Sequence, residues 1–134
     1  MVSIEHQKGF TLLEFAVAFA VFLAFTIGLI TTAMWGIGGF FLHNAASEAA
    51  RKYAVTADTV LAQELVRERI GRWGFVFIDP NTVRVSVRRE GSKAVVMVSA
   101  EPRVKKLYFY QMPEIRREAS CTMEYRFRNP GEFN

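Results

Sequence analysis

Between Phe15 and Leu42 the chain carries no charged side chain for 28 residues, and this run limits the folds open to it. As a helix it would be about 42 Å long, whereas crossing the hydrocarbon of a bilayer takes about 20 residues. A cleaved secretory signal has an apolar stretch of only about 7 to 15 residues, and no small-x-small cleavage motif stands at a matching distance. The run therefore reads as a retained membrane helix. Gly28, Gly36, Gly38 and Gly39 lie within it, as do Thr26, Thr31 and Thr32. An unbonded backbone in lipid costs more than the ~1 kcal/mol of helix propensity lost at each glycine. Helix is expected throughout, loosened near Trp35 to Gly39 and open there to close packing by a neighbouring helix.

At 134 residues, 51% hydrophobic, the chain is about one domain long, which excludes a disordered tail or a multidomain enzyme. Its net charge of +4 favours anionic surfaces without specifying one. A single cysteine and two histidines exclude an intrachain disulfide and the common zinc sites, and neither a metal nor a cofactor is expected. Lys8 and the N-terminal amine against Glu5 on one flank, and Arg51 and Lys52 against Glu48 on the other, leave the orientation undecided by charge.

From His43 to Gly71 the pattern becomes amphipathic. Ala46, Ala49, Ala50, Tyr53, Ala57, Val60, Leu61 and Leu65 recur at helical spacing, with Glu48 to Lys52 and Glu68 to Arg72 spaced as i,i+4 pairs. No proline intervenes before Pro80, so one helix is expected from about Phe10 to Gly71, with Gly71 as its terminating residue. Beyond it the period changes to two. Phe75 to Ile78 reads as a short apolar run and Asp79, Pro80 and Asn81 as a turn. Val83, Val85 and Val87 alternate with polar residues, and Glu90, Gly91 and Ser92 turn the chain into Ala94 to Ala100. Leu107 to Gln111 and an alternating run from Glu118 to Phe127 make a second pair, with Cys121 a buried small hydrophobe on the apolar face. The expected fold class is α+β, a long N-terminal helix, partly transmembrane, packed against a small antiparallel sheet of about four strands. Its divisions are 1–9, 10–42 in the membrane, 43–71 as the amphipathic half of the helix, and 72–134 as the β domain.

Glu14 is the one charge just inside the apolar run, and a carboxylate in lipid is a functional candidate. The segment Lys8, Gly9, Phe10, Thr11, Leu12, Leu13, Glu14 resembles the type IV prepilin signature: a hydrophilic leader ending in glycine, then phenylalanine, then glutamate at the fifth mature position. The resemblance implies cleavage between Gly9 and Phe10 by a prepilin peptidase acting from the cytoplasmic side, commonly followed by methylation of the Phe10 amine. It also implies that Glu14 acts in assembly with other pilin or pseudopilin subunits and an assembly platform protein. The implied setting is a single-pass protein of the cytoplasmic membrane with its C-terminal domain outside the cytoplasm, open to incorporation in an extracellular filament. Ala45 to Val55, alanine-rich with Arg51 and Tyr53, is similar to the segment after the membrane helix in TadE-like pseudopilins of tight-adherence systems, and the Glu14-Phe15 pair is similar to their processing sites. Phe10 and the Thr-Leu-Leu-Glu wording lie nearer to ordinary type IV and type II secretion pilins, whose paired C-terminal cysteines are missing.

The reading that follows is a minor pilin or pseudopilin serving filament assembly, adhesion or secretion. A type II secretion or DNA-uptake pseudopilin is the neighbouring alternative. An enzyme finds no nucleophile grouping or phosphate loop to stand on. A membrane-anchored binding module is the other rival, since Arg84, Arg88, Arg89, Lys93, Arg116 and Arg117, with Arg103, Lys105 and Lys106, gather in the C-terminal part beside Tyr108 and Tyr110. These are candidate anion-binding residues for nucleic acid, set against eleven acidic residues beyond the membrane run, which favour a solvated face.

Overall fold

The computed structural model describes residues 3–123, with side chains from residue 9 onward. The chain divides into two compact units between Ala33 and Met34. Helix α1, Ser3–Thr56, starts seven residues before the expected Phe10 and passes through the division as regular helix, without loosening at Trp35 to Gly39.

Among the described residues the first unit is helix alone, apolar on every side beyond Glu14 and largely exposed, with Thr31 buried. Phe15 and Phe19 stack one turn apart with ring centres 6.2 Å from each other. The hydroxyls of Thr26 and Thr32 donate to the carbonyls of Phe22 and Gly28 at 2.8 and 2.9 Å, so the polar groups of the run are satisfied within the helix, as lipid requires. The segment is long and apolar enough to cross a membrane.

In the second unit α1 ends at Thr56, and α2, Thr59–Trp73, follows. The expected single helix to Gly71 is therefore broken. Ala57 takes a left-handed φ of 53°, and the Asp58 carboxylate caps α2 by accepting from the amides of Val60 and Leu61 at 2.9 and 3.2 Å. The break resets the helical phase, so Ala57, Val60 and Leu61 are exposed while Ala62, Val66 and Ile70 are buried. It also brings Arg69 within 2.6 Å of Glu48, the partner expected for Lys52. The Glu68–Arg72 pair forms as read, at 2.7 Å. Gly71 lies inside α2, whose cap is Gly74.

The run at Phe75 is not a strand. Gly74–Val76 is a 3-10 turn, after which Ile78 makes an isolated bridge to Pro102. Asp79 turns the chain as expected, its carboxylate accepting from the Asn81 amide at 3.1 Å. Strands β1, Arg84–Glu90, and β2, Lys93–Ala100, form the hairpin. Leu107 to Gln111 is a miniature hairpin of its own, β3 Lys106–Leu107 and β4 Tyr110–Gln111, turned by Tyr108 at φ 55°. Strand β5, Ile115–Thr122, begins before the expected Glu118 and pairs with β2. The main sheet is thus β1-β2-β5, with β3-β4 a separate pair, so the expected α+β fold, a long helix packed on a small antiparallel sheet, is present with its strands divided between two sheets. The expected continuation through Glu124 to Phe127 lies outside the described residues.

Ala94, Val96, Val98 and Ala100 of β2 alternate onto the core face of the sheet. They meet Leu42, Ala45, Ala46, Ala49 and Ala50 of α1 and Val66 and Ile70 of α2 in one buried cluster. Cys121 packs on this cluster but is only half-buried.

Candidate functional site: the helix motif and the arginine residues

Gly9, Phe10 and Glu14 all lie in helical backbone at the start of the apolar segment. A side chain added at Gly9 would meet nothing within 4 Å, so no packing inside the chain calls for glycine there. Phe10 and Glu14 are one turn apart and share a helix face; both are exposed. Glu14 makes no ion pair among the described residues, and from Gly9 to Leu42 it is the one charged side chain. An amine freed at Phe10 would fall within reach of that carboxylate, on the same helix or on one packed beside it. Because Gly9 is helical here, the extended form that a protease cleft takes requires the first turns to unwind.

The arginine residues do not form one patch. Alternation along the sheet puts Arg84 and Arg88 of β1, Lys93 of β2 and Arg116 of β5 on the outer face, and Arg89 and Arg117 on the opposite face. On the outer face two of these four, Arg88 and Arg116, have acidic partners. Arg88 lies 2.8 Å from Glu90 and 3.5 Å from Glu118, the second pair crossing the central strand. Arg116 lies 3.4 Å from Glu114. The Ser99 hydroxyl, bonded to the Glu114 carboxylate, holds that acid below the usual carboxylate range; partial desolvation opposes this and Arg116 adds to it.

Arg117 has a different setting. It lies against α1, where a Cβ on Gly39 would come within 2.8 Å of its Nη2. Its guanidinium carbon is 6.0 Å from the centre of the Trp35 ring, and Nη1 donates to the Arg116 carbonyl at 3.0 Å. Trp35 Nε1 in turn donates to the Pro113 carbonyl at 3.1 Å. Gly38 admits Ile115 and Ile78, whose nearest carbons would stand 3.1 and 3.3 Å from an added Cβ. Of the glycines expected to receive a neighbouring helix, Gly38 and Gly39 receive side chains of the chain's own second unit, while Gly28 and Gly36 meet nothing within 4 Å. The signal was present in the alternation of Ala119 and Cys121, which extended backwards places Arg117 and Ile115 on the same face.

A polar network missed at the sequence level joins the Asp79 turn to the loop after β2. The Asp79 amide donates to the Glu101 carbonyl at 3.0 Å, and Lys105 reaches Glu101 and Asp79 at 2.8 and 3.4 Å. The Asn81 amide is the main cause that holds the Asp79 carboxyl low, against some desolvation and with help from Lys105. Glu101 first, then Asp79, push the Lys105 ammonium up. Among the described residues no group of His, Cys, Asp and Glu is placed to hold a metal ion. No family model matches the chain, and neither a curated protein nor a solved structure matches it.

Proposed function

We propose that the chain is a minor pilin or pseudopilin of a type IV filament system of the tight-adherence kind. In this reading prepilin peptidase cuts between Gly9 and Phe10. The mature subunit stays in the cytoplasmic membrane through the apolar half of α1, its α+β unit outside the cytoplasm, until an assembly platform recruits it beside other pilin subunits. The observation that carries the reading is Glu14, the lone charge between Gly9 and Leu42 of a long apolar helix, one turn from the residue that would become the N-terminus. A carboxylate so placed gains most from an ammonium on a packed neighbour. The acidic partners of Arg88 and Arg116 support leaving nucleic acid out of the proposal.

The test is a comparison of Glu14→Leu and Glu14→Gln in cells with an active peptidase. Both variants are expected to insert, since the segment only becomes more apolar, and to lose residues 1–9 by intact mass. The leucine variant is expected to lose co-purification with other pilin subunits, with the glutamine variant intermediate. Unchanged co-purification of the leucine variant, or a mature N-terminus other than Phe10, would overturn the proposal.

A further inference from the structure

Among the described residues outside α1, most of the large apolar side chains left exposed come from two short segments, Trp73 to Val76 at the end of α2 and Tyr108 to Tyr110 at the tip of the β3–β4 hairpin. Phe109 is fully exposed and Trp73 is 70% exposed. The two segments lie at the same end of the second unit. The Arg69–Glu48 pair shows that α2 runs back along α1. Phe77 then stacks on Phe41 with ring centres 5.7 Å apart. The Arg103 amide donates to the Phe77 carbonyl at 2.9 Å, and the Met112 amide closes the base of the hairpin on the Lys105 carbonyl at 2.9 Å. Pro113, next in the chain, accepts from Trp35. Trp35 and Met34 are where the apolar segment joins this unit. From that base the tip reaches about three residues outward, on the order of 10 Å.

From Phe15 to Met34 the helix has the roughly 30 Å that the hydrocarbon core occupies, which places Trp35 at headgroup level, where tryptophan is favoured. Scattered exposed hydrophobic residues are ordinary. A group of Trp, Phe and Tyr at the end of a unit entered by an apolar helix, flanked by Arg103 and Lys106, has the composition of an interfacial anchor.

We propose that this end of the unit rests on the surface of the bilayer that α1 spans, with Phe109 and Trp73 inserted among phospholipid headgroups. The inference rests on the membrane-spanning reading of α1 and does not depend on pilin assembly. Lipid is the occupant because the patch lies at the end of the unit where α1 enters it and combines ring side chains with cations. Seating the hairpin would hold the unit against the membrane, and lifting the unit away would expose the rings again.

The test uses the full chain in phosphatidylcholine–phosphatidylglycerol vesicles. Single cysteines, introduced with Cys121→Ser, carry an environment-sensitive fluorophore at Phe109→Cys, at Phe22→Cys in the span and at Ser86→Cys on the outer face of β1. Spin-labelled lipids are expected to quench the Phe109 and Phe22 probes and to quench the Ser86 probe at least about threefold less. A quenched Phe22 probe with a Phe109 probe as wet as Ser86 would overturn this inference alone. A Phe22 probe outside lipid would overturn the spanning reading and this inference with it. A shielded Phe109 probe that lipid does not quench, and that becomes exposed on dilution of the protein, would assign the patch to a second copy and overturn lipid as its occupant.

Discussion

Gly38 and Gly39 are adjacent and both buried, yet they answer different demands. A methyl at Gly39 meets the far end of Arg117, which swings aside at little cost; a methyl at Gly38 is wedged against Ile115 and Ile78 in the core. Gly39→Ala is therefore expected to leave the thermal midpoint unchanged or to raise it, since alanine gains up to ~1 kcal/mol of helix propensity. Gly38→Leu should lower stability by about 1–3 kcal/mol through overpacking. Melting of the two variants followed by circular dichroism separates them. The lowered Asp79 and Glu114 and the raised Lys105 set a pH window. The carboxylates contribute stability that is present above the ordinary acid range and lost as pH falls through their depressed values. Lys105 contributes below its ordinary value of 10.5 and ceases to do so as pH rises through its raised one. The midpoint is expected to drop on acidification below about pH 4, and Asp79→Asn should make that drop shallower. An equal drop in wild type and Asp79→Asn would show that the turn carries none of it.

The break between α1 and α2 is made by Ala57 and Asp58. Ala57 stands in the left-handed region that glycine enters freely, so Ala57→Gly is expected to stabilise the unit by up to ~1 kcal/mol. Asp58→Ala, which removes the cap from Val60 and Leu61, should cost about 0.5–2 kcal/mol. Chemical denaturation of both variants checks the pair. The sequence already held this break. Thr56, Ala57, Asp58 and Thr59 make a helix-start signal in front of apolar residues, but a search for prolines and glycines passes over it, and the alanines on either side keep helical spacing. The β1–β2 hairpin was legible because Gly91 and the valine alternation agree, and the turn at Asp79 was legible from its side chain. The β3–β4 hairpin was not legible, since its turn is made by Tyr108 at positive φ, a residue that normally reads as strand. The partner of β5 was also hidden, because alternation identifies a strand's faces but not its neighbour. Of the candidate site, Glu14 and Phe10 on one helix face followed from spacing alone. That Arg117 belongs with Trp35 and Gly39 needed the register of β5 on β2.

Taken as a whole, the second unit is a thin construction in which one short sheet and two helices share a core made largely of alanine and valine. Its sheet has β1 along one side, and among the described residues no strand pairs with that side. An open strand is a template for pairing with another chain. Arg84, Arg88, Arg89 and Glu90 stand on this strand with only Val85, Ser86 and Val87 between them. Charged side chains on an edge oppose edge-to-edge pairing, since they must be desolvated before backbone bonds can form. The basic residues then need no anionic ligand to account for them: they serve as gatekeepers, making the sheet refuse its own kind. Arg88→Thr with Arg89→Thr should consequently turn a well-behaved sample into one that scatters light on concentration, with the added material rich in β structure.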